Sequence, residues 1–356
     1  MDSSNKIVAA LSGGVDSSVA AALLKEQGRE VVGVSLQLWN YSSDEDNRFG
    51  TCCSLDDLAD ARRVAHKIGI PFYILNLEKE FREEVVDYFT SEYLKGRTPI
   101  PCTLCNQKLK FDRLFQKAEG FGIERIATGH YAEIVKVDDR YTVRRGADLS
   151  RDQSYFLFNL NQEQLSRLEF PLAHLEKSEV RRLADGIGLN VAGKSESREI
   201  CFIPDNDYAG FVASEAPSAF KEGEIVNQSG EVLGTHQGYP SFTIGQRKGL
   251  NIGGLKEPHF VTEISPEENK ITVGLKADLY RDEFFVSSTN WQFNVNGPFN
   301  ALTQIRYRHQ AAPALITPLE GNRAKVKFEN PQMSIAAGQS AVFYQDDCIA
   351  GGGWIE

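Results

Sequence analysis

Two adjacent glycines and three serines lie near the start of the chain, between an apolar run at 7–11 and an alanine-rich run at 19–24. Gly13 and Gly14 permit a left-handed backbone and the close approach of a ligand. The serine hydroxyls and the unpaired amides of a following helix can donate hydrogen bonds to an anion. The spacing therefore predicts a strand, a tight turn and a helix that together hold a phosphate. Because the stretch lacks the lysine of the Walker pattern, an ordinary phosphoryl-transfer NTPase is not the natural interpretation.

Cysteine is the second residue type whose placement could support chemistry. An even number of cysteines suggests disulfides in a short secreted chain, but this chain has 356 residues and residues 1–6 carry no secretory pattern. Cys348 lies in a C-terminal strand pattern and is expected to serve packing, and no role is assigned to Cys52 or Cys53. The six cysteines are Cys52, Cys53, Cys102, Cys105, Cys201 and Cys348.

Cys102 and Cys105 form a C-x-x-C pair in a predicted loop, immediately before a helix expected to begin near Asn106. The helix N-terminus and the lysines that follow the pair favour the thiolate form of Cys105. Cys201 lies far along the chain, close in sequence to Arg198. One such pair and a distant cysteine are compatible with redox chemistry, half of a zinc site, or three ligands of an iron–sulfur cluster.

The segments that carry these residues are predicted to be strands and helices that alternate along the chain. Such alternation predicts an α/β fold with a doubly wound parallel sheet, in which ligands bind beyond the carboxyl ends of the strands. The glycine loop, Leu36 and Gly129-His130 then lie at one edge, where Leu36 and Gly129 would border an adenine or ribose and His130 would meet substrate. Apolar runs predict strands at 7–11, 31–38, 72–77 and 125–128, and helical spacing predicts helices at 19–27, 55–68, 81–93 and 106–118.

Short β patterns dominate after about residue 274, at 284–293, 301–307, 324–329 and 341–344. They predict a small β-barrel, preceded by a short glycine-containing segment. We therefore expect three domains: a catalytic α/β domain at 1–204, a small central domain at 205–273 and a C-terminal β-barrel domain at 274–356.

Composition limits the classes of function. The net charge of -10 argues against indiscriminate nucleic-acid binding, and no apolar run approaches the roughly 20 residues that span a bilayer. We expect a cytoplasmic enzyme with no membrane partner. Local basic clusters still leave room for a nucleic-acid track, at Lys108, Lys110 and Arg113; Arg144 and Arg145; Arg181 and Arg182; Arg247 and Lys248; and Arg306, Arg308 and His309.

The six positions S-G-G-V-D-S, from Ser12 to Ser17, resemble the pyrophosphate loop (PP-loop) of the N-type ATP pyrophosphatases. Members of that superfamily split ATP between its α and β phosphates and leave an adenylylated intermediate. The resemblance implies that Asp16 is a magnesium or pyrophosphate-side residue, with ATP and Mg²⁺ as cofactors. The ATP-binding residues that it implies are Ala10, Leu11, Ser12, Gly13, Gly14, Val15, Asp16, Ser17, Leu36 and Gly129.

Further motifs in order along the chain resemble the tRNA-specific 2-thiouridylases, which thiolate C2 of the wobble uridine of certain tRNAs. The resemblance implies ATP-dependent adenylylation of uracil O2, then sulfur transfer from a persulfide on Cys201. Cys105 would be the nucleophile, leaving a Cys105–Cys201 disulfide to be reduced, and Arg198 would help to keep the persulfide ionised. The motifs are C-x-x-C-N-x-x-x-K-F (102–111), A-T-G-H-Y (127–131), R-D-Q-S-Y-F-L (151–157), I-C-F-I (200–203) and F-T-I-G-Q-R-K-G-L (242–250).

The same resemblance implies two partners: tRNA, and a sulfur donor that is a cysteine desulfurase or a sulfur-relay protein. The barrel would grip the tRNA, and the target base would flip out of its stack into the pocket. The tRNA-binding residues implied are Ile100, Pro101, Cys102, His130, Arg151, Asp152, Gln153, Arg306, Tyr307 and Gln339.

Two departures from the family pattern keep alternatives open. Cys102 stands where some members have an aspartate placed as a general acid or base, so its role is not assigned. Residues 196–199 replace a common D-S-x-G before Cys201. One alternative is therefore thiolation with an iron–sulfur cluster on Cys102, Cys105 and Cys201. The others are another ATP pyrophosphatase, of the amidotransferase-type or argininosuccinate synthetase kind, and a non-catalytic tRNA-binding module.

Overall fold

A computed structural model describes residues 5–39, 55–189, 191–194, 200–203, 207–254 and 256–356. Its strands are β1 (Lys6–Ala10), β2 (Glu30–Gln37), β3 (Phe72–Asn76), β4 (Arg125–Ala127), β5 (Ala132–Val137), β6 (Arg140–Arg145), β7 (Leu168–Glu169), β8 (Gly223–Asn227), β9 (Val232–His236), β10 (Phe260–Ser265), β11 (Lys270–Gly274), β12 (Tyr280–Trp291), β13 (Phe299–Gln304), β14 (Ala312–Leu319), β15 (Arg323–Met333), β16 (Ser340–Gln345) and β17 (Cys348–Ile355). Its helices are α1 (Val15–Glu26), α2 (Leu55–Ile68), Glu78–Phe81, Arg82–Val86, Asp87–Leu94, Pro101–Leu104, Cys105–Arg113, Leu114–Gly120, Gln162–Arg167, Lys177–Ile187 and Tyr208–Glu215. Short 3₁₀ turns cover Ser154–Leu157, Pro217–Ala219, Tyr239–Ser241 and Lys276–Leu279.

The first part of the chain forms the predicted parallel sheet, with strand order β3-β2-β1-β4-β7. Successive residues of a strand point to opposite faces, so β1 contributes to two cores. Ile7 packs with Ala61 and Ala65 of α2 on one face, and Val8 packs in the large cluster on the other. Both faces are covered, as expected for a sheet of apolar parallel strands.

The segment that carries the C-x-x-C pair begins its helix earlier than predicted. Consecutive segments Pro101–Leu104, Cys105–Arg113 and Leu114–Gly120 run on as one helix, here called the cysteine helix, with π-helical geometry in its middle part. The prediction of a loop up to Cys105 was therefore wrong. Pro101 occupies the first turn, where its fixed φ suits a helix and its missing N–H is not needed.

The central segment forms a separate sheet with order β10-β11-β8-β9. The apolar side chains of Ile225, Val261, Ile271 and Val273 form its core. This sheet leads directly into the last domain.

The six C-terminal strands close into a barrel in the order β12-β15-β14-β13-β16-β17, with β17 pairing back onto β12. Alternate residues of β15, such as Ala324, Val326 and Phe328, fill the interior, which confirms the predicted barrel. Strand β14 was missed because Pro313 and Pro318 interrupt it, and prolines argue against a strand from sequence alone.

A hairpin of β5 and β6, also missed, extends the barrel sheet from the N-terminal part of the chain. β6 pairs with β17 at Arg144 and Cys348, and the Arg145 amide donates to the Asp347 carbonyl oxygen at 3.0 Å. The Arg144 and Arg145 side chains pair with Glu133 and Asp152, so neither stands as part of an open basic track. None of the described helices is long and apolar enough to cross a membrane.

The glycine run of β17 lets the barrel pack against the N-terminal domain. A Cβ on Gly352 would lie 2.6 Å from the ring of Phe158 and 2.8 Å from the Ala341 carbonyl oxygen. Only hydrogen fits there, so the Phe158 ring lies directly on the β17 backbone.

We predict that Gly352→Ala destabilises the protein by about 1–3 kcal/mol because the added methyl overpacks this contact. Chemical denaturation would measure the loss. Gly186→Ala is the matched control, since nothing lies within 4 Å of its added carbon and alanine favours a helix. Equal stability of the two variants would contradict the packing argument.

Candidate active site

The glycine loop follows β1 and leads into α1, as its composition predicts. Gly13 has a φ of +75°, and a Cβ there would lie 2.2 Å from the Asp57 carbonyl oxygen in α2. Glycine is therefore required both for the conformation and for the space. The Ser17 hydroxyl accepts from the Ser12 amide at 3.1 Å and lies 3.1 Å from the Ser12 hydroxyl. These bonds fix the turn before α1, whose first amides have no partner within the helix.

Asp16, the predicted magnesium or pyrophosphate-side residue, lies in a network that the sequence did not reveal. Lys177 Nζ is 2.8 Å from each Asp16 carboxylate oxygen, and the Tyr131 hydroxyl donates to Oδ1 at 2.7 Å. Lys177 is only 8% exposed. A buried lysine is normally paired, and this one brings positive charge beside a loop that has no lysine of its own.

A second lysine lies on the other side of the loop. Lys194 Nζ is 2.5 Å from Asp57 Oδ1, 2.7 Å from Asp60 Oδ2 and 3.3 Å from the Gly13 carbonyl oxygen. Burial opposes the ammonium charge, but hydrogen bonds to Asp57 and Asp60 outweigh it and raise the pKa of Lys194. Neither lysine was predicted, because each reaches the loop from more than 150 residues away in the chain.

A magnesium ion shared with a nucleotide is usually held by one or two carboxylates together with substrate phosphates. Asp16 is the carboxylate of the loop, and a metal ion there would take the place that the Lys177 ammonium holds on its oxygens. Among the described residues, no three His, Cys, Asp or Glu side chains are grouped to hold a metal by themselves. The iron–sulfur alternative therefore finds no support in the described geometry.

The end of β4 lies directly on the glycine loop, as the strand-end rule predicts. A Cβ on Gly129 would lie 2.6 Å from the Ser17 amide nitrogen and 2.7 Å from the Asp16 carbonyl carbon. The structure therefore brings Gly129 to the loop. Leu36 is also near the end of its strand, but its side chain is buried in the hydrophobic core.

His130 follows Gly129 and faces the cysteine helix. Its Nδ1 is 2.6 Å from Thr128 Oγ1, and its ring centroid lies 5.9 Å from that of Phe111 and 5.7 Å from that of Phe170. Burial, helped by the charge of Lys110, lowers the pKa of His130 from 6.5 to about 3. The imidazole is therefore neutral at physiological pH.

The three candidate cysteines differ in exposure. Cys102 is exposed, whereas Cys105, one helical turn further on, is 6% exposed within the large hydrophobic cluster. Cys201 packs against the same cluster, and its neighbour Phe202 contacts Phe89 with ring centroids 5.3 Å apart. Cys52, Cys53 and Arg198 lie outside the described residues.

Several residues predicted to bind tRNA lie near Cys102. The Tyr307 ring packs on Phe156 with centroids 4.5 Å apart. Burial raises the pKa of Tyr307, and Arg151 and Cys102 are close enough to act on its hydroxyl electrostatically. This group thus includes residues from the cysteine helix, the 151–153 loop and the barrel.

Other predicted tRNA contacts hold the structure together. The Asp152 carboxylate accepts from Arg145 at 2.8 Å and from the Ser154 hydroxyl at 2.8 Å, and the Gln153 side chain accepts from the Tyr131 amide at 3.1 Å.

Of the remaining predicted contacts, Gln339 joins the barrel to the segment before the cysteine helix, and Arg306 bonds within the barrel region. The Gln339 amide donates to the Thr98 carbonyl oxygen at 2.9 Å, and Arg306 donates to the Met333 carbonyl oxygen at 3.1 Å. Ile100 and Pro101 are buried. Gln339 thus fixes the segment that leads into the cysteine helix.

Three family models match the chain in succession. They are described as the tRNA methyl transferase HUP domain at residues 5–205, the tRNA methyl transferase PRC-barrel domain at 209–275 and the Aminomethyltransferase beta-barrel domain at 281–355. A solved 4-thiouridine synthetase–RNA complex with bound ATP aligns with a TM-score of 0.36 and 20% identity, over 60% of this chain and 50% of that chain.

Curated relatives match over almost the whole length. One from Geotalea uraniireducens is 50% identical over 99% of this chain and 95% of its own, and one from Clostridium perfringens is 47% identical over 99% and 98%. Both are named tRNA-specific 2-thiouridylase MnmA.

The fold and the loop define a nucleotide-binding HUP domain followed by a PRC-barrel domain and a β-barrel domain. The curated relatives, 50% and 47% identical over 99% of the chain, identify the family more closely. The chain belongs to the tRNA-specific 2-thiouridylase family.

We predict that Gly129→Ala weakens ATP binding by tenfold or more, on the order of 1.4 kcal/mol, because its methyl would displace the Ser17 backbone that shapes the loop. Calorimetric titration with ATP and magnesium would measure the effect. Gly120→Ala, at the exposed end of the cysteine helix with nothing within 4 Å of the added carbon, should bind ATP like the unsubstituted protein. Equal affinities would show that the loop does not depend on this contact.

We also predict that the His130 ring remains neutral down to about pH 3. Between that pH and the ordinary value of 6.5, the unfolded state binds more protons at His130 than the folded state does, so this residue lowers stability as the pH falls. His130→Asn should reduce the acid-induced loss of stability in that window. An NMR titration and denaturation at several pH values would check this, and a midpoint near 6.5 in the folded protein would contradict it.

Proposed function

We propose that this protein uses ATP to replace O2 of the wobble uridine of tRNA with sulfur, releasing AMP and pyrophosphate. The observation that carries the proposal is the contact of Gly129 with the Ser17 backbone. Because His130 follows Gly129 and lies beside Phe111 of the cysteine helix, this contact joins the nucleotide loop to the cysteine helix at one edge of the sheet.

The chemistry requires activation because a carbonyl oxygen is a poor leaving group. Uracil O2 attacks the α-phosphorus of ATP, and pyrophosphate departs into the glycine loop. The first amides of α1 favour the negative charge that develops there. Mg²⁺ bound with ATP would neutralise part of the phosphate charge, and Asp16 is the residue placed to hold it.

Sulfur then reaches C2 from a persulfide on Cys201, charged by a cysteine desulfurase or a sulfur-relay protein. The terminal sulfur bonds to C2, and AMP leaves with O2. Cys105 attacks Sγ of Cys201 and breaks the persulfide S–S bond. The electron pair of that bond passes to the sulfur now attached to C2. The Cys105–Cys201 disulfide that remains is reopened by a thiol reductant.

One property of the surroundings of Cys105 suits this chemistry. The thiol lies in a hydrophobic cluster, and exclusion of water would protect an activated uridine from hydrolysis. The helix N-terminus expected to favour its thiolate is at Pro101 instead, four residues before Cys105. The neutral His130 can make a hydrogen bond to the base without adding a charge. Both features support transfer of sulfur rather than of water to C2.

Recognition of tRNA is supported by the group around Tyr307. Its ring and that of Phe156 offer an aromatic surface for an unstacked base, and Arg151 adds a positive charge beside it. The net charge of -10 makes such local groups important, since the protein as a whole repels phosphate.

The test combines the protein with ATP, magnesium, a cysteine desulfurase with cysteine, and unmodified tRNA, followed by mass spectrometry of nucleosides. We expect 2-thiouridine from the unsubstituted protein and from Cys348→Ser, which alters a buried barrel cysteine. Cys105→Ser and Cys201→Ser should lose at least about a thousandfold in rate, because a hydroxyl cannot carry or resolve a persulfide.

Pyrophosphate release without 2-thiouridine would overturn the proposal. Full turnover by the Cys105 and Cys201 variants would instead indicate another ATP pyrophosphatase. Iron in anaerobically purified, brown protein would contradict the persulfide route alone.

A further inference from the structure

Arg145 is the last residue of β6, and its side chain makes contacts in four directions. The guanidinium lies over the Tyr344 ring, with 3.8 Å between its central carbon and the ring centroid. Nη1 donates to Asp152 Oδ2 at 2.8 Å, Nη2 donates to Gln304 Oε1 at 3.3 Å, and Nε lies 3.7 Å from Asp347 Oδ1. The side chain is only 18% exposed.

The contact with Asp152 controls the 151–153 loop. The other Asp152 oxygen accepts from the amides of Gly146 and Ser154, at 3.3 and 3.1 Å. The Ser154 hydroxyl bonds to the carboxylate and lies 3.1 Å from the Tyr344 hydroxyl. Asp152 is therefore a fixed anchor, and the loop takes its position from Arg145.

The contact with Gln304 links Arg145 to the 306–307 segment of the barrel. Gln304 ends β13, is buried, and donates from Nε2 to the Arg306 carbonyl oxygen at 3.1 Å. Arg306 and Tyr307 lie two and three residues further along the chain. Arg145 thus connects, through one side chain on each side, two segments that belong to different domains.

We propose that Arg145 is a positioning residue for tRNA, which sets the spacing between the 151–153 loop and the 306–307 segment without touching the nucleic acid itself. The inference rests on the proposed function, since tRNA is the ligand that these segments would bind. Its own support is geometric: a mostly buried guanidinium engaged by two carboxylates, an amide and an aromatic ring. A guanidinium so engaged has its N–H groups directed at protein acceptors rather than at solvent.

The arrangement requires arginine rather than positive charge alone. A guanidinium is planar, can stack on Tyr344 and can direct separate N–H groups to Asp152 and Gln304 at the same time. A lysine ammonium is a single point on a flexible chain and cannot span both acceptors while stacked. Arg145→Lys keeps the positive charge but loses the paired hydrogen bonds, so it distinguishes a role in positioning from a role of charge alone.

The test measures tRNA binding by the full-length protein at several salt concentrations, for Arg145→Lys and Arg145→Met. We expect both to bind tRNA about tenfold more weakly, with ATP binding unchanged. The slope of log K against log salt should stay the same, because no phosphate contact is lost. Arg140→Met is the matched control: Arg140 also joins β6 to the barrel region, through the Trp291 and Gln292 carbonyl oxygens, and its loss should leave tRNA affinity unchanged.

Wild-type affinity in both Arg145 variants would overturn the proposal, as would rescue by lysine. A slope reduced by about one would also overturn it, because it would identify a direct phosphate contact. Should the Arg145 variants fail to fold, Gln304→Leu and Gln304→Glu decide: both lose the donor to the Arg306 carbonyl oxygen, but only Glu keeps an acceptor for Arg145. Weaker tRNA binding by the Leu variant than by the Glu variant supports positioning by Arg145, and equal binding refutes it. If the unsubstituted protein binds no tRNA, the proposed function fails together with this inference.

Discussion

The close approach of two backbones governs this site. The end of β4 lies so near the first turn of α1 that only glycine fits at position 129. The contact also positions the two residues that follow. The His130 ring packs beside Phe111 of the cysteine helix. The Tyr131 hydroxyl donates to Asp16, and its main-chain amide donates to the Gln153 side chain. Three consecutive residues thus bring the glycine loop, the cysteine helix and the 151–153 loop to one edge.

Charge around the loop is arranged by tertiary structure. A Walker loop carries its lysine within a few residues of its glycines, whereas here Lys177 and Lys194 arrive from later segments and each is tied to aspartates. Carboxylates keep both ammonium groups in place before any nucleotide binds. The loop can therefore remain short and glycine-rich, while distant residues adjust the local potential.

The sequence was informative wherever local pattern decides structure. Helix α2 has the predicted limits, because its apolar face is regular and a Gly-Ile-Pro sequence follows it. Alternation in β15 predicted the barrel. Prediction failed where local signals conflict with tertiary ones: Pro101 begins a helix, the prolines of β14 are tolerated, and β5 and β6 gain their stability from a distant edge. Lys177 carried no sequence signal at all, since its partner lies 161 residues away.

Because β6 pairs with β17, a hairpin from the N-terminal part of the sequence belongs to the sheet of the C-terminal barrel. The hairpin lies between two strands of the N-terminal sheet, yet its hydrogen bonds continue the barrel. A chain truncated before the barrel would leave β6 as a bare edge, prone to pair with other molecules. The N-terminal domain therefore depends on the barrel to cover the edge of β6, and we do not expect the two to fold separately.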